Sequence, residues 1–467
     1  MRISSRARAI TNGSPIPVGM DSKQVLIHVV FPVEYDVGRW TSLKSDPPIT
    51  EMTTATVNPT HFVQNSDSLH TAIKPIINLA QCFAVFPVNG VNTPDSSHLK
   101  FTWRSLKILY SMIVLVLSVI MTGASIHRIL SSTFTSPKMT TLVFFGASCV
   151  TNVLFLRLAM RWPGIAAKWE KIERELATRH RRTSKYNLVA RYKIITVTVM
   201  AIALIEHALS LVSGYLSASE CAQLQGDPDV LGVYFKTQFP QVFNKTVYSI
   251  WKGLMVQGIN VLTTFSWNFL DLFLILMSTA LTYHFGLLNA RLNSIKDKTM
   301  PEWWWSEART DYNRLASLTR QVDSDISGLI LLSFGINLYF ICMQLMYSFN
   351  RVPNVIRTIY FGFSFGAVIA RTAAVSLSAA SVHDESLLPA PVLYSVSSSS
   401  YSTEVVRFLS QVTTDTIGLT GMKFFSITRS LVLTVAGTII TYELVLVQFN
   451  AVQQVNPSNL TNACELK

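Results

Sequence analysis

The chain has 467 residues, of which 49% are hydrophobic and only 14% charged. A soluble domain carries about a quarter charged residues, so this composition excludes an ordinary water-soluble protein and points to a membrane one. The formal net charge of +12 would suit a nucleic-acid binder. That reading is excluded by where the charge sits, in alternate loops between long apolar runs.

Residues 1–100 are polar, with Pro47, Pro48 and several Ser/Thr clusters, and hold no apolar core of a cleavable signal peptide. The expectation for this stretch is a largely disordered cytoplasmic tail, with short apolar pieces such as residues 25–31. Seven apolar runs follow, at residues 106–126, 139–160, 194–217, 258–285, 328–349, 355–382 and 424–449. Each is near or above the ~20 residues that a spanning helix needs. The chain is therefore read as an all-α membrane protein with seven transmembrane helices.

Lys and Arg set the orientation. Counted by loop, 29 lie on the side of the N-terminal tail and 8 on the other, with Arg157 and Arg371 inside spans. Basic residues stay in the cytoplasm, which places the N-terminus there and the C-terminus outside after seven crossings. Two glycosylation sequons fit: Asn244-Lys-Thr after the third span and Asn459-Leu-Thr in the tail 451–467 are both expected outside. Asn12-Gly-Ser falls inside and is read as chance. Five cysteines show no framework; a Cys221–Cys464 bridge is one alternative among the extracellular pair.

After the second span, Ile165, Trp169, Ile172 and Leu176 recur at helical spacing. The same holds for Leu288, Leu292 and Ile295 after the fourth span and for Tyr312, Leu315, Leu318, Val322 and Ile326 before the fifth. These helices are expected to run on beyond the membrane, with Trp303, Trp304 and Trp305 as a packing corner or an interfacial anchor. Residues 384–403 are rich in Ser, Pro and Glu and read as a flexible insertion. Residues 405–418 are helical in pattern and lead into the last span. The expected organisation is a tail (1–100), six spans with helical extensions (101–382), a Ser-rich loop and helix (383–420), a last span (421–450) and a short tail.

Nothing along the chain looks catalytic, and no metal-ligand or cofactor motif is present. Polar side chains inside the spans need an explanation, because they are costly there and face a cavity or the bundle interior. The third span carries Glu206 and His207. The fourth carries Asn260, Thr263, Thr264, Trp267, Asn268 and Asp271. The fifth carries Asn337, Tyr339, Gln344 and Tyr347, and the sixth Tyr360, Ser364 and Arg371. Pairs such as Asp271–His207 or Glu206–Arg371 would make these an ordinary interior network. Alternatively the set converges on a ligand.

The last span reads GMKFFSITRSLVLTVAGTIITYELVLVQF from Gly421 to Phe449. Its Thr441-Tyr442 and Gln448-Phe449 ending resembles the signature of insect gustatory receptors. Phe424-Phe425, Thr428-Arg429, the Gly437-to-Ile440 run and Glu443 resemble the sugar-receptor branch. So do the Arg157-to-Pro163 stretch and the Trp267-Asn-Phe-x-Asp271 stretch.

That resemblance implies a sugar-gated, nonselective cation channel in the plasma membrane of taste neurons. It would be a tetramer of identical or related gustatory receptor subunits, with the extended helices forming a shared anchor and the last helix lining a central pore. Thr441, Val445, Gln448 and Phe449 would sit at or near the gate, through which cations pass. A sugar needs carboxylate, amide and hydroxyl partners and an aromatic face. The implied binding set is Glu206, His207, Asn260, Thr264, Trp267, Asn268, Asp271, Asn337, Tyr339, Gln344 and Tyr360, with Arg371 structural or gating. No cofactor or metal is expected; the partners are a small sugar, lipid, cations and other subunits, and no nucleic acid. Three alternatives stay open, one of them a bitter or carbon-dioxide receptor of the same family, against which Glu443 and Asp271 argue. A metabotropic seven-helix receptor would need the opposite orientation, and its Asp/Glu-Arg-Tyr and Asn-Pro-x-x-Tyr cues are missing. A sugar transporter would show internal repeats and more helices.

Overall fold

The computed structural model describes residues 68–132, 134–177, 187–296, 298–348 and 355–453; in the last helix the side chains are described to Tyr442 and at Val445. Among the described residues six helices are long and apolar enough to cross a membrane. They are α2 (Leu106–Leu130), α3 (Ser136–Ala177), α4 (Leu188–Gln225), α7 (Ile250–Asn293), α8 (Glu302–Ser348) and α9 (Val355–Leu387). A first helix, α1 (Leu69–Cys82), precedes them, and α5 (Val230–Gln238) and α6 (Pro240–Phe243) lie between α4 and α7. After α9 come α10 (Pro389–Tyr394), α11 (Thr403–Thr414), a hairpin of β1 (Thr420–Gly421) and β2 (Phe425–Ser426), and α12 (Arg429–Gln453).

The lengths decide the architecture. At 1.5 Å per residue, 42 to 47 residues in α3, α7 and α8 make helices of about 60–70 Å, twice a hydrocarbon core of ~30 Å. Their apolar spacing therefore continues into a second helical layer, here termed the basal end. The opposite end, holding α5 and α6, is the distal end. At the basal end Trp304 and Trp305 are buried edge to face, with the Arg291 guanidinium over Trp304, while Trp303 is exposed. The Trp triplet is thus a packing corner.

Helix α7 is the axis of the bundle. Every residue from Phe269 to Met277 is buried, as a helix apolar all round requires. Helix α4, no less apolar, leaves Ile194, Val197, Leu204, Ile205, Val212 and Tyr215 exposed and forms an outer wall of the bundle. Asn187 caps it, accepting from the Ala190 N–H at 3.1 Å, and Gly226 ends it in the left-handed region at φ 66°.

Three expectations need correction. Residues 68–100 are not disordered. Helix α1 buries Leu69, Ile73, Ile76 and Ile77, spaced for one helical face. Glu173 Oε1 accepts from the Leu69 N–H, Trp169 Nε1 and His284 Nε2, each at 3.0 Å. Phe86 then inserts among Phe155, Trp162 and Phe273. Residues 384–403 are not one flexible insertion either. Helix α9 runs to Leu387 and α10 buries Val392 and Leu393, so two apolar residues among the Pro and Ser tie the segment down. Finally, residues 424–428 do not belong to the last helix, because Phe425 and Ser426 pair with Gly421 and Thr420 in the hairpin. The last helix, α12, therefore starts at Arg429 and runs 25 residues to Gln453.

Candidate functional site

The intramembrane polar residues gather in two layers, two helical turns apart. Asn337 and Gln344 on α8 are seven residues apart, as are Ser364 and Arg371 on α9, which sets the layers about 10 Å from each other. The inner layer, nearer the basal end, centres on Asp271 of α7, which is fully buried. Ser333 Oγ donates to its Oδ1, and Asn337 Nδ2 donates to Oδ2 at 3.1 Å and to Oδ1 at 3.3 Å. Arg371 Nε lies 2.7 Å from Oδ2, a charge contact whose N–H is not aimed as a hydrogen bond. Arg371 Nη1 donates to Asn268 Oδ1 at 2.6 Å, and its guanidinium stands 4.2 Å from the Trp267 ring centroid. Trp267 also stacks on Phe340 at 4.5 Å and donates through Nε1 to Asn337 Oδ1 at 3.4 Å.

This layer explains why two opposite charges survive in the bundle. A buried carboxylate and a buried guanidinium each cost several kcal/mol in desolvation, offset only when paired and hydrogen-bonded. The partners differ from both pairings considered from the sequence. Asp271 joins Arg371 rather than His207, and Glu206 joins Ser364 rather than Arg371.

The outer layer is built on α4, α8 and α9. Ser364 Oγ donates to Glu206 Oε1 at 2.7 Å, and Gln344 Nε2 donates to Ser364 Oγ at 3.0 Å. Tyr360 lies against Ser210 and Ser364. Gln344 Oε1 is a buried acceptor without a hydrogen-bond partner, and Nε2 of His207, the residue after Glu206 on α4, is also buried without one. Glu206 and His207 are only half-buried. Between the layers lies an apolar floor of Ile341, Leu345 and Val368, packed against Trp267, Phe340, Phe365 and Ile439 of α12.

Other expected site residues fall outside both layers. Thr264 Oγ1 donates to the Asn260 carbonyl at 2.9 Å, and the Thr264 carbonyl accepts from Asn268 Nδ2 at 2.9 Å, so these contacts stay within α7. Tyr339 Oη is 3.4 Å from Thr140 Oγ1 of α3. In α12, Thr441 donates to the Gly437 carbonyl and is exposed, and Val445 is exposed. The side chains of Gln448 and Phe449, and residue Asn459, lie outside the described residues. Asn244 is exposed just after α6. Cys221 is disulfide-bonded to a partner outside the described residues, while Cys82, Cys149 and Cys342 are free.

Ser333 was not among the expected residues. Its one signal in the sequence is the spacing of four before Asn337, which puts both on one face of α8.

Comparison with known proteins decides what carries these layers. The trehalose receptor family model matches residues 50–460. The chain belongs to this family. Among its relatives in Drosophila melanogaster, the gustatory receptor for sugar taste 64f is 37% identical over 82% of this chain and 81% of its own length. Gustatory receptor 5a for trehalose is 34% identical over 82% of this chain and 85% of its own. The fold is that of the insect olfactory receptor OR5 from Machilis hrabei, solved in complex with eugenol. That structure gives a TM-score of 0.61 at 14% identity, covering 81% of this chain and 97% of OR5. The trehalose receptor family and the six apolar helices make the chain a multi-pass membrane protein. Its relatives are taste receptors rather than enzymes.

Proposed function

We propose that this member of the trehalose receptor family is a sugar-gated, nonselective cation channel of the taste-neuron plasma membrane, opened by a small sugar such as trehalose. The observation that carries the reading is the outer layer. It holds a half-buried carboxylate, Glu206, and a buried acceptor without a partner, Gln344 Oε1, while the next residue on α4, His207, has a buried Nε2 without a partner that donates or accepts according to its tautomer. A pyranose presents hydroxyls that donate to such acceptors and an apolar face that fits Tyr360. Buried polar groups shaped to one hydroxyl pattern reject another, because a lost partner leaves a desolvated group unpaired. The inner layer has its charges matched and serves as the floor's support.

The channel part rests on the likeness in fold to an insect olfactory receptor, together with α12. In this reading the basic loops keep the N-terminus in the cytoplasm, α12 completes seven crossings, and four copies or related subunits meet so that α12 lines a common pore. Thr441 and Val445, exposed on a single chain, then face that path with Gln448 and Phe449 at the gate. Asn244 and Asn459 carry glycans outside. The test is expression of the chain alone, with current recorded while mono- and disaccharides are applied. Sugar-evoked cation current with G-protein signalling blocked is the expected result; responses that vanish with that block refute the channel.

A further inference from the structure

Residues 415–428 join α11 to α12 as a pinned segment rather than a loose loop. Ile417, Leu419 and Ile427 are buried almost completely. Thr420 pairs with Ser426 and Gly421 with Phe425. A Cβ at Gly421 would stand 2.4 Å from the tip of the Phe425 ring, so a larger residue there displaces that ring. The turn places Met422 at φ 50° and Lys423 at φ 63°, left-handed conformations that side-chain-bearing residues adopt at a cost. Such a turn persists where its surroundings over-determine it.

Those surroundings come from two helices. From α8, Asp323 accepts from the Thr420 N–H at 2.6 Å and from Thr420 Oγ1 at 2.9 Å. Arg320 Nη2 donates to Asp415 at 2.7 Å, and the Phe334 and Phe425 rings meet at 5.4 Å. From α9, His383 Nδ1 and Ser386 Oγ reach the Ile417 carbonyl at 2.9 and 3.3 Å, and Asp384 pairs with Arg429, the first residue of α12. The same α8 carries Asn337 and Gln344, and the same α9 carries Ser364 and Arg371. Asp323 is ten residues from Ser333 along one unbroken helix, about 15 Å.

We propose that this hairpin is a clasp through which a relative shift of α8 and α9 moves the base of α12, with Asp323 as the positioning residue. The inference rests on reading α12 as the pore helix. Ligand closing on the outer layer draws on α4, α8 and α9 at once. A slide between α8 and α9 strains one set of clasp bonds against the other. The hairpin, already holding two residues in left-handed conformations, has a second arrangement within reach, and α12 follows it.

The test uses the full chain with Asp323→Asn, Thr420→Val and the conservative Thr420→Ser. Asp323→Asn and Thr420→Val should move the trehalose concentration for half-maximal current about tenfold, the scale of one lost bond to a charged group. The thermal shift that trehalose gives the purified protein should stay at the wild-type value, and Thr420→Ser should behave as wild type. A merely structural role would lower surface expression without separating current from binding. Wild-type concentration–response curves for Asp323→Asn and Thr420→Val at normal surface expression overturn the clasp. Amide hydrogen exchange separates this failure from failure of the channel reading. If the wild type binds trehalose yet passes no current, the pore is refuted. The clasp then stands if trehalose alters exchange across 415–429 and Asp323→Asn removes the change, and falls if trehalose leaves that exchange unaltered.

Discussion

The two polar layers draw on the same two helices, α8 and α9, yet in one the acid is closed off by a paired charge, with Arg371 Nη2 left buried without a hydrogen bond, and in the other the acid has no charged partner and is open. In the inner layer Asp271 meets Ser333, Asn337 and Arg371, and Arg371 is further occupied by Asn268 and the Trp267 ring. In the outer layer the hydrogen bonds run in a line from Gln344 through Ser364 to Glu206 and leave the Gln344 Oε1 acceptor unused. The difference lies in the third helix. The inner layer takes its acid from α7, buried all round. The outer layer takes its acid from α4, which leaves much of its apolar surface exposed on the outside of the bundle. Closed networks hold a bundle together, and open ones have something left to offer a ligand.

The largest expected effect follows from the closed layer. Asp271→Ala strands the Arg371 guanidinium in the interior, a loss of roughly 3–5 kcal/mol, a large fraction of the total stability of an ordinary domain. Surface biotinylation should show little Asp271→Ala protein. The double change Asp271→Ala with Arg371→Met, which removes both charges, should recover it. Should Asp271→Ala reach the surface at wild-type level with only its sugar sensitivity altered, the inner layer is part of the binding site and the comparison fails.

The open layer predicts the reverse pattern. Glu206→Gln keeps the shape and removes the charge, so folding should survive. A lost charge-assisted hydrogen bond to a hydroxyl costs roughly 1.5–3 kcal/mol, ten- to over a hundredfold in sugar affinity. Normal surface expression with a right-shifted response is expected, and Gln344→Ala should shift it in the same direction. Trp267→Phe gives a smaller effect. It keeps a ring beneath Arg371 but weakens the cation–π contact and loses the bond to Asn337, together about 1 kcal/mol. Its signature should be a lower melting temperature of the purified protein.

Much of the fold was legible in the sequence. The six long apolar helices, their continuation beyond the membrane and the family all follow from spacing and from the last segment. What was not legible has physical causes. Helix α1 was passed over because its apolar face, Leu69 to Ile77, sits in a polar neighbourhood and is stabilised by Glu173, over a hundred residues away. Val392 and Leu393 were hidden among Pro and Ser. In the site, sequence reading found nearly all the polar residues but paired them wrongly. Helical spacing tells which residues share a face of one helix and says nothing about which face of another helix they meet. So Arg371 was left as structural or gating without its partner, Asp271.

The smallest effect belongs to a charge cluster outside both layers, where solvent replaces the enclosure of α7. Glu404, at the start of α11, accepts from Arg309 Nε and Arg407 Nη1, each at 2.8 Å, and these bonds hold its carboxyl below the ordinary glutamate range. A lowered folded-state value means the ionised form is the one the fold favours. The contribution is therefore complete above the ordinary glutamate range and is lost as pH falls through the folded-state value. Arg407 is largely solvent-exposed, so screening keeps the gain small. Glu404→Gln should flatten the acid limb of the melting-temperature profile slightly and leave neutral pH nearly unchanged. A steep loss at neutral pH would mean that the basal cluster is as enclosed as Asp271 and that the contrast between closed and open charge does not extend beyond the membrane.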